Sequence, residues 1–204
     1  RMLSVLVCDL RGFTTFAHDR DSDAVASVLE AFYGFIGQKA AALGGTVKDH
    51  AGDGVLILVG APIALRDHAR RAAVLALELM DGFGEVIAPL APGVGLGIGV
   101  ATGMLTVGAI RGAGRLEYVA VGNAVNLASR LCVRAGVGEV LVDQPTVDQG
   151  LQGVAGRSIA VRALSPESFK GFDEPVAIHA ITSDGRPLAT VSTSKSTRRA
   201  ARRS

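Results

Sequence analysis

The sequence predicts an α+β fold, an antiparallel-rich sheet with helices on one face. Three observations carry this. Apolar residues alternate between strand and helix periods in a strand–helix–hairpin–helix–strand order. Gly95, Gly97 and Gly99 alternate with Leu96, Ile98 and Val100, which describes a strand whose glycine face lies close to another backbone. The 204 residues are 49% hydrophobic and 20% charged, enough for a real core and incompatible with wholesale disorder.

The elements follow in order. Residues 1–10 are a short β-branched apolar run, a buried strand. Asp21, Ser22 and Asp23 are N-cap candidates, and Val25, Val28, Leu29, Phe32 and Ile36 follow at helical spacing until Gly44-Gly45. Residues 46–48 and 55–59 read as a hairpin around Gly52-Asp53-Gly54. Asp67 is placed to cap a helix running to about Met80, and 82–92 reads as a loop. Strands are expected at 94–101 and 104–109, with Thr102-Gly103 turning between them. A turn at 112–114, a strand at 116–121, a helix at 123–135, a strand at 139–142 and a short helix from Pro145 complete the order, and no internal repeat appears.

Charge and composition narrow the function. The last ten residues hold Lys195, Arg198, Arg199, Arg202 and Arg203 and no acid, so that of the chain's net +2, residues 1–194 contribute −3. Residues 1–182 are expected to be the folded domain and 183–204 a basic, disordered tail. An acidic domain with 4% aromatics and no Trp is not expected to bind nucleic acid. Cys8 and Cys132 sit inside apolar patterns and read as buried thiols, which suits a cytoplasmic, reducing location. The uncharged stretch 86–110 is long enough to span a bilayer, but Pro89, Pro92 and six glycines make it a soluble strand region. The chain opens on Arg1 and enters an apolar run at once, as a domain taken from a longer protein would; no signal peptide is seen.

Two carboxylates stand out. Asp9 ends an otherwise apolar strand, where a charge needs a cation or donors. Gly12 follows, allowing a sharp turn whose N–H groups can receive a phosphate. Asp53 lies at a hairpin tip between two glycines. Taken singly, each is a turn aspartate. If the two strands are neighbours, Asp9 and Asp53 converge on one edge, and paired carboxylates holding two Mg²⁺ ions are a device for displacement at phosphorus. Asn126 and Arg130 are four apart and share a helix face, either as a solvated surface or as two donors to a phosphate. His50 reads as a half-exposed spacer. His18, His68 and His179 show no zinc-site spacing.

Three stretches stand in a shared order. They are Val7-Cys8-Asp9-Leu10-Arg11-Gly12-Phe13-Thr14, residues 45–54 (GTVKDHAGDG) and residues 117–131 (EYVAVGNAVNLASRL). Together they resemble the catalytic domain of class III nucleotidyl cyclases, over about residues 2–182. The resemblance implies a ferredoxin-like core, head-to-tail homodimers and active sites at the dimer interface. It implies that Asp9, Asp53 and the carbonyl of Leu10 bind two Mg²⁺ or Mn²⁺ ions. Asn126 would orient the ribose and Arg130 would stabilise the transition-state phosphate, both from the partner chain. Gly12, Phe13 and Thr14 would offer phosphate-binding amides, and Lys170, in Phe169-Lys170-Gly171-Phe172, a triphosphate contact. The implied reaction converts ATP to 3′,5′-cyclic AMP and pyrophosphate, in signal transduction. A regulatory domain or membrane anchor would lie outside these residues.

The base-selecting positions depart from the family pattern. Adenylate cyclases carry Lys where this chain has Asp49, and Asp or Thr where it has Val119; guanylate cyclases carry Glu and Cys. Lys48 is one place early, which in a regular strand sends its side chain to the other face. Asp49 can accept from an exocyclic amine of either purine and suits guanine N1–H and N2–H₂ rather better, and Val119 offers no hydrogen bond. Guanylate cyclase is therefore the alternative, with a catalytically silent nucleotide-binding module as the third reading.

Overall fold

The computed structural model describes residues 1–112, 115–151 and 159–183. The elements are β1 (Met2–Arg11), α1 (Phe13–His18), α2 (Ser22–Ala42), β2 (Gly45–Ala51), β3 (Gly54–Val59), α3 (His68–Val86), β4 (Gly95–Met104), β5 (Thr106–Gly112), β6 (Arg115–Val121), α4 (Asn123–Arg134), β7 (Glu139–Asp143), α5 (Gln144–Gly150), β8 (Ile159–Ala163) and β9 (Ile178–Ser183). Seven strands form one sheet in the order β2-β3-β1-β4-β7-β9-β8, and β5 and β6 form a separate ribbon. All pairings are antiparallel except β4 with β7. The β2-β3-β1-β4 order, with α2 and α3 as the two connections, is the ferredoxin-like arrangement.

The helices lie on both faces, not one. Along β1, Leu6, Cys8 and Leu10 point into the core under α2 and α3, with Phe32, Ile36, Leu75 and Leu79. Leu3 and Val5 point the other way, toward Leu127, Ala128 and Leu131 of α4. This is strand alternation at work: one period-two strand feeds two cores. Each fully buried Leu, Ile or Phe contributes roughly 1.5–3 kcal/mol, so both faces matter for stability. Cys8 and Cys132 are free and buried, as expected.

Several expectations need correction. Asp21 does cap α2, accepting from Ala24 N at 2.8 Å. Asp67 does not cap α3; its carboxylate accepts from Arg71 Nε at 2.9 Å instead, and that arginine holds it below the usual carboxylate range. α3 runs through Gly82 to Val86 rather than stopping. A Cβ at Gly82 would sit 3.0 Å from the Phe35 ring, so this glycine is a packing residue, not a terminator. β4 continues through Thr102-Gly103, because β1 keeps pairing with it to Met2↔Met104. α1, β8 and β9 were not legible. β9 extends to Ser183, one residue past the expected domain end, and pairs with both β7 and β8. Residues 184–204, with the basic cluster, and residues 113–114 of the expected turn lie outside the described residues. No helix among the described residues is long and apolar enough to cross a membrane.

The glycine alternation has a physical cause. A Cβ at Gly99 would lie 2.2 Å from Cys132 N and 2.3 Å from the Ala128 carbonyl, so α4 sits directly on the β4 backbone. At Gly97 a Cβ would meet the Arg11 guanidinium at 2.7 Å, and at Gly95 the side chain of Val137 at 2.5 Å.

Candidate active site

Asp9 and Asp53 are brought together. β1 and β3 pair with Asp9 opposite Gly54, and Leu10 N donates to the Asp53 carbonyl at 3.1 Å. A Cβ on Gly54 would lie 3.3 Å from Asp9 Oδ1, so glycine keeps the approach open. Burial pushes the Asp9 carboxyl up, and the nearby Asp53 pushes it further; Arg11 pulls it partly back. Two carboxylates repelling each other at a strand end is a donor set that fits divalent cations. Among the described residues no cluster of three or more His, Cys, Asp or Glu side chains forms, so the side-chain donors there are the two carboxylates.

The phosphate-binding candidates follow at once. Gly12 is left-handed (φ 78°) and precedes the first turn of α1, which begins Phe13-Thr14. The left-handed turn is what glycine permits there. It brings the amides of that turn just beyond the β1 end that carries Asp9.

Asn126 and Arg130 line an adjoining groove, which shares Ser129 and Val133 with the cleft of Asp9. They line a cleft of about 580 Å³ with Ser129, Val133, Glu167 and Phe169 on the outer face of α4. Asp9 instead lines a smaller cleft of about 290 Å³ with Asp49, Gly54, Ser129 and Cys132. Neither Asn126 nor Arg130 has a polar partner among the described residues, and Arg130 Nε is buried without one. Lys170 is exposed beside Phe169, so its segment belongs to the Asn126 and Arg130 groove rather than to the aspartates.

The base-selecting positions look different from the strand expectation. Val47 pairs with Ile57 and Asp49 with Leu56, so Lys48 is the extra residue of a β-bulge. The bulge cancels the one-place offset: Lys48 and Asp49 line the same cleft, about 460 Å³, with Thr46, Pro62 and Tyr118. Asp49 also lines the cleft that holds Asp9. Tyr118, not its neighbour Val119, joins them there, and its buried hydroxyl has no partner among the described residues.

Three contributing residues were missed from sequence. Arg11 Nη1 donates to Asp9 Oδ2, and Nη2 donates to the Cys132 carbonyl. Tyr33, in α2, donates its hydroxyl to the Gly52 carbonyl and sets its ring against His50 at 4.4 Å. Tyr118 is the third. The only sequence signal was for Arg11, two residues from Asp9 on one strand face.

Known proteins share the family and the fold of this chain. The family model described as "Adenylate and Guanylate cyclase catalytic domain" matches residues 1–182. "Adenylate cyclase 1" of Rhizobium meliloti (strain 1021) is 32% identical over 133 residues, 63% of this chain. The chain spans 20% of that relative's length. The crystal structure of the adenylyl cyclase CyaB from P. aeruginosa superposes with a TM-score of 0.83 at 27% identity, covering 92% of this chain and 96% of that one. The guanylyl cyclase Cya2 superposes with a TM-score of 0.79 at 30% identity, covering 93% of this chain and 95% of that one.

Proposed function

Since the chain belongs to the family of adenylate and guanylate cyclase catalytic domains, we propose that it converts ATP to 3′,5′-cyclic AMP and pyrophosphate as a homodimer. One observation carries this: Asp9 and Asp53 meet at the β1–β3 end, while Asn126 and Arg130, without a polar partner among the described residues, line an adjoining groove that Asp9 does not enter. Each half lacks the groups of the other, and a two-fold dimer that joins one half to the other would build two sites.

In each site Asp9, Asp53 and the Leu10 carbonyl hold the metal ions of one chain. Two Mg²⁺ or Mn²⁺ ions, when bound, lower the pKa of the ribose 3′-OH and balance the triphosphate charge. Asn126 of the other chain orients the ribose. Arg130 donates to the α-phosphate as the 3′-oxygen attacks and pyrophosphate leaves. The amides of Gly12, Phe13 and Thr14 take the β- and γ-phosphates, and Lys170 adds a counter-charge from the α4 side. ATP as substrate places the domain on the cytoplasmic side.

Lys48 supports adenine: the bulge puts an ammonium donor beside Asp49, where a ring nitrogen of adenine can accept. Asp49 supports the second reading, GTP, because a carboxylate accepts from guanine N1–H and N2–H₂. The test is a chromatographic assay of the purified dimer with ATP and with GTP, each with Mg²⁺ or Mn²⁺. Cyclic AMP as the dominant product is expected. Cyclic GMP alone would move the assignment to guanylate cyclase, and no product from a proven dimer would leave a nucleotide-binding module.

A further inference from the structure

Arg11 holds an unusual position. On β1 the residues facing α4 are Leu3, Val5, Val7, Asp9 and Arg11, so the carboxylate and the guanidinium stand two apart on one face. Arg11 gives one nitrogen to Asp9 Oδ2 and another to the carbonyl of Cys132, in the last turn of α4. The same nitrogen lies 3.7 Å from Cys132 Sγ. The guanidinium lies over Gly97, where any side chain would collide with it. Helix C-terminal carbonyls carry partial negative charge, and the planar fork of arginine can serve two acceptors at once. One cation therefore links a carboxylate of the metal site to the helix whose outer face carries Asn126 and Arg130.

We propose that Arg11 is a positioning residue that ties the occupancy of the Asp9 carboxylate to the seating of α4. This rests on the two-carboxylate, shared-site reading above. Arg11 competes with a divalent cation for Asp9. On yielding the carboxylate it loses the contact that fixes the direction of its guanidinium, so its bond to the Cys132 carbonyl shifts and with it the seating of α4 on β1. Because Asn126 and Arg130 face the partner's site, the carboxylates of each site act on the helix that serves the other. The result is a coupling between the two active sites of one dimer.

The test uses Mn²⁺ binding, followed by the resonance signal of the free ion, and hydrogen exchange of the α4 amides. The proteins are the wild-type dimer, Arg11→Gln, Arg11→Lys and the control Asp9→Ala. Arg11→Gln removes a competing, partly exposed cation, so Mn²⁺ should bind about three- to tenfold more tightly. Mn²⁺ should change α4 exchange several-fold in the wild type and leave it unchanged in Arg11→Gln. Arg11→Lys keeps the charge without the fork: its Mn²⁺ affinity should stay within about twofold of wild type, yet its α4 response should be lost. Equal or weaker Mn²⁺ binding in Arg11→Gln overturns the competition. An α4 response that survives in Arg11→Lys overturns the bridge. Should Arg11→Gln fail to fold, the lysine variant alone decides. Asp9→Ala that binds Mn²⁺ as tightly as wild type would instead remove the metal site itself, a separate failure seen in a separate protein.

Discussion

The hydroxyl of Tyr33 donates to the carbonyl of Gly52, so a residue of α2 holds the turn that presents Asp53. Gly52 is left-handed (φ 62°) and nothing lies within 4 Å of where its Cβ would be, so the turn has no packing partner there. Tyr33→Phe deletes the donor and keeps the ring on His50. One hydrogen bond of this kind contributes about 1 kcal/mol. Turnover is expected to fall about three- to tenfold, with the urea midpoint lowered only slightly. Steady-state kinetics beside an unfolding curve checks it; unchanged kcat would mean the turn holds itself.

Among the described glycines, Gly99 leaves the least room for a side chain. Its missing side chain lets α4 rest on β4, with Cys132 N 2.2 Å from the Cβ position. The obstructing atoms are backbone on both sides, so no rotamer change relieves the clash. Gly99→Ala should cost about 2 kcal/mol or more, judging by overpacked cores, and should displace Asn126 and Arg130 with the helix. Urea unfolding and the cyclase assay together test this. A variant with wild-type stability would mean that α4 slides without cost.

Asp143 caps α5 from a buried position, accepting from Thr146 N at 3.0 Å and Thr102 N at 3.1 Å. Burial pushes its carboxyl up to about 6 from the ordinary 3.8, against the opposing effect of those donors. The folded state thus keeps a proton that the unfolded chain releases near pH 4. The stability it confers is full below that pH and lost as pH rises through about 6. Between pH 4 and 7 the loss is about 2 kcal/mol. Asn does not titrate, so the stability of wild type minus that of Asp143→Asn should fall by about 2 kcal/mol over that range. Urea unfolding at both pH values measures the difference. A flat difference would show that the folded carboxyl titrates like a free one.

Lys48 and Asp49 share one cleft because of the bulge, and each favours a different purine. Removing one should shift the balance. Lys48→Ala is expected to lower kcat/KM for ATP about tenfold and leave GTP within about twofold, the value of one hydrogen bond to a charged group. Asp49→Ala should do the reverse to any GTP activity. Paired kcat/KM measurements decide, and a Lys48→Ala protein with undiminished ATP turnover would exclude Lys48 from the base site.

Local signals carried most of the site. A lone carboxylate ending an apolar strand marked Asp9, a Gly-Asp-Gly hairpin tip marked Asp53, and alternating glycines announced the close approach at Gly99. What stayed hidden was non-local. The partner of Arg11 on α4 is 121 residues away in the chain. Tyr33 reaches its turn from the middle of an amphipathic helix, where it reads as one more core residue. The β-bulge at Lys48 defeats a strict period of two, so Lys48 and Asp49 border one cleft where alternation would separate them. β9, with His179 and Thr182 inside it, becomes a strand only because β7 and β8 supply partners on both sides.

Asp9 and Arg130 give the sharpest test of where the site lies. Asp9→Ala removes a metal carboxylate, and Arg130→Ala a donor to the transition-state phosphate; each alone should lower kcat by about 10²-fold or more. If each site takes its aspartates from one chain and its arginine from the other, a mixed dimer carries both lesions in one site and none in its twin. Random exchange makes about half of all dimers mixed, each with one working site. An equimolar mixture should therefore recover about one quarter of wild-type activity, after subunit exchange is verified by mass spectrometry of tagged chains. If both residues instead served a site within one chain, every site in the mixture would hold one lesion, and activity would stay at the level of the single variants.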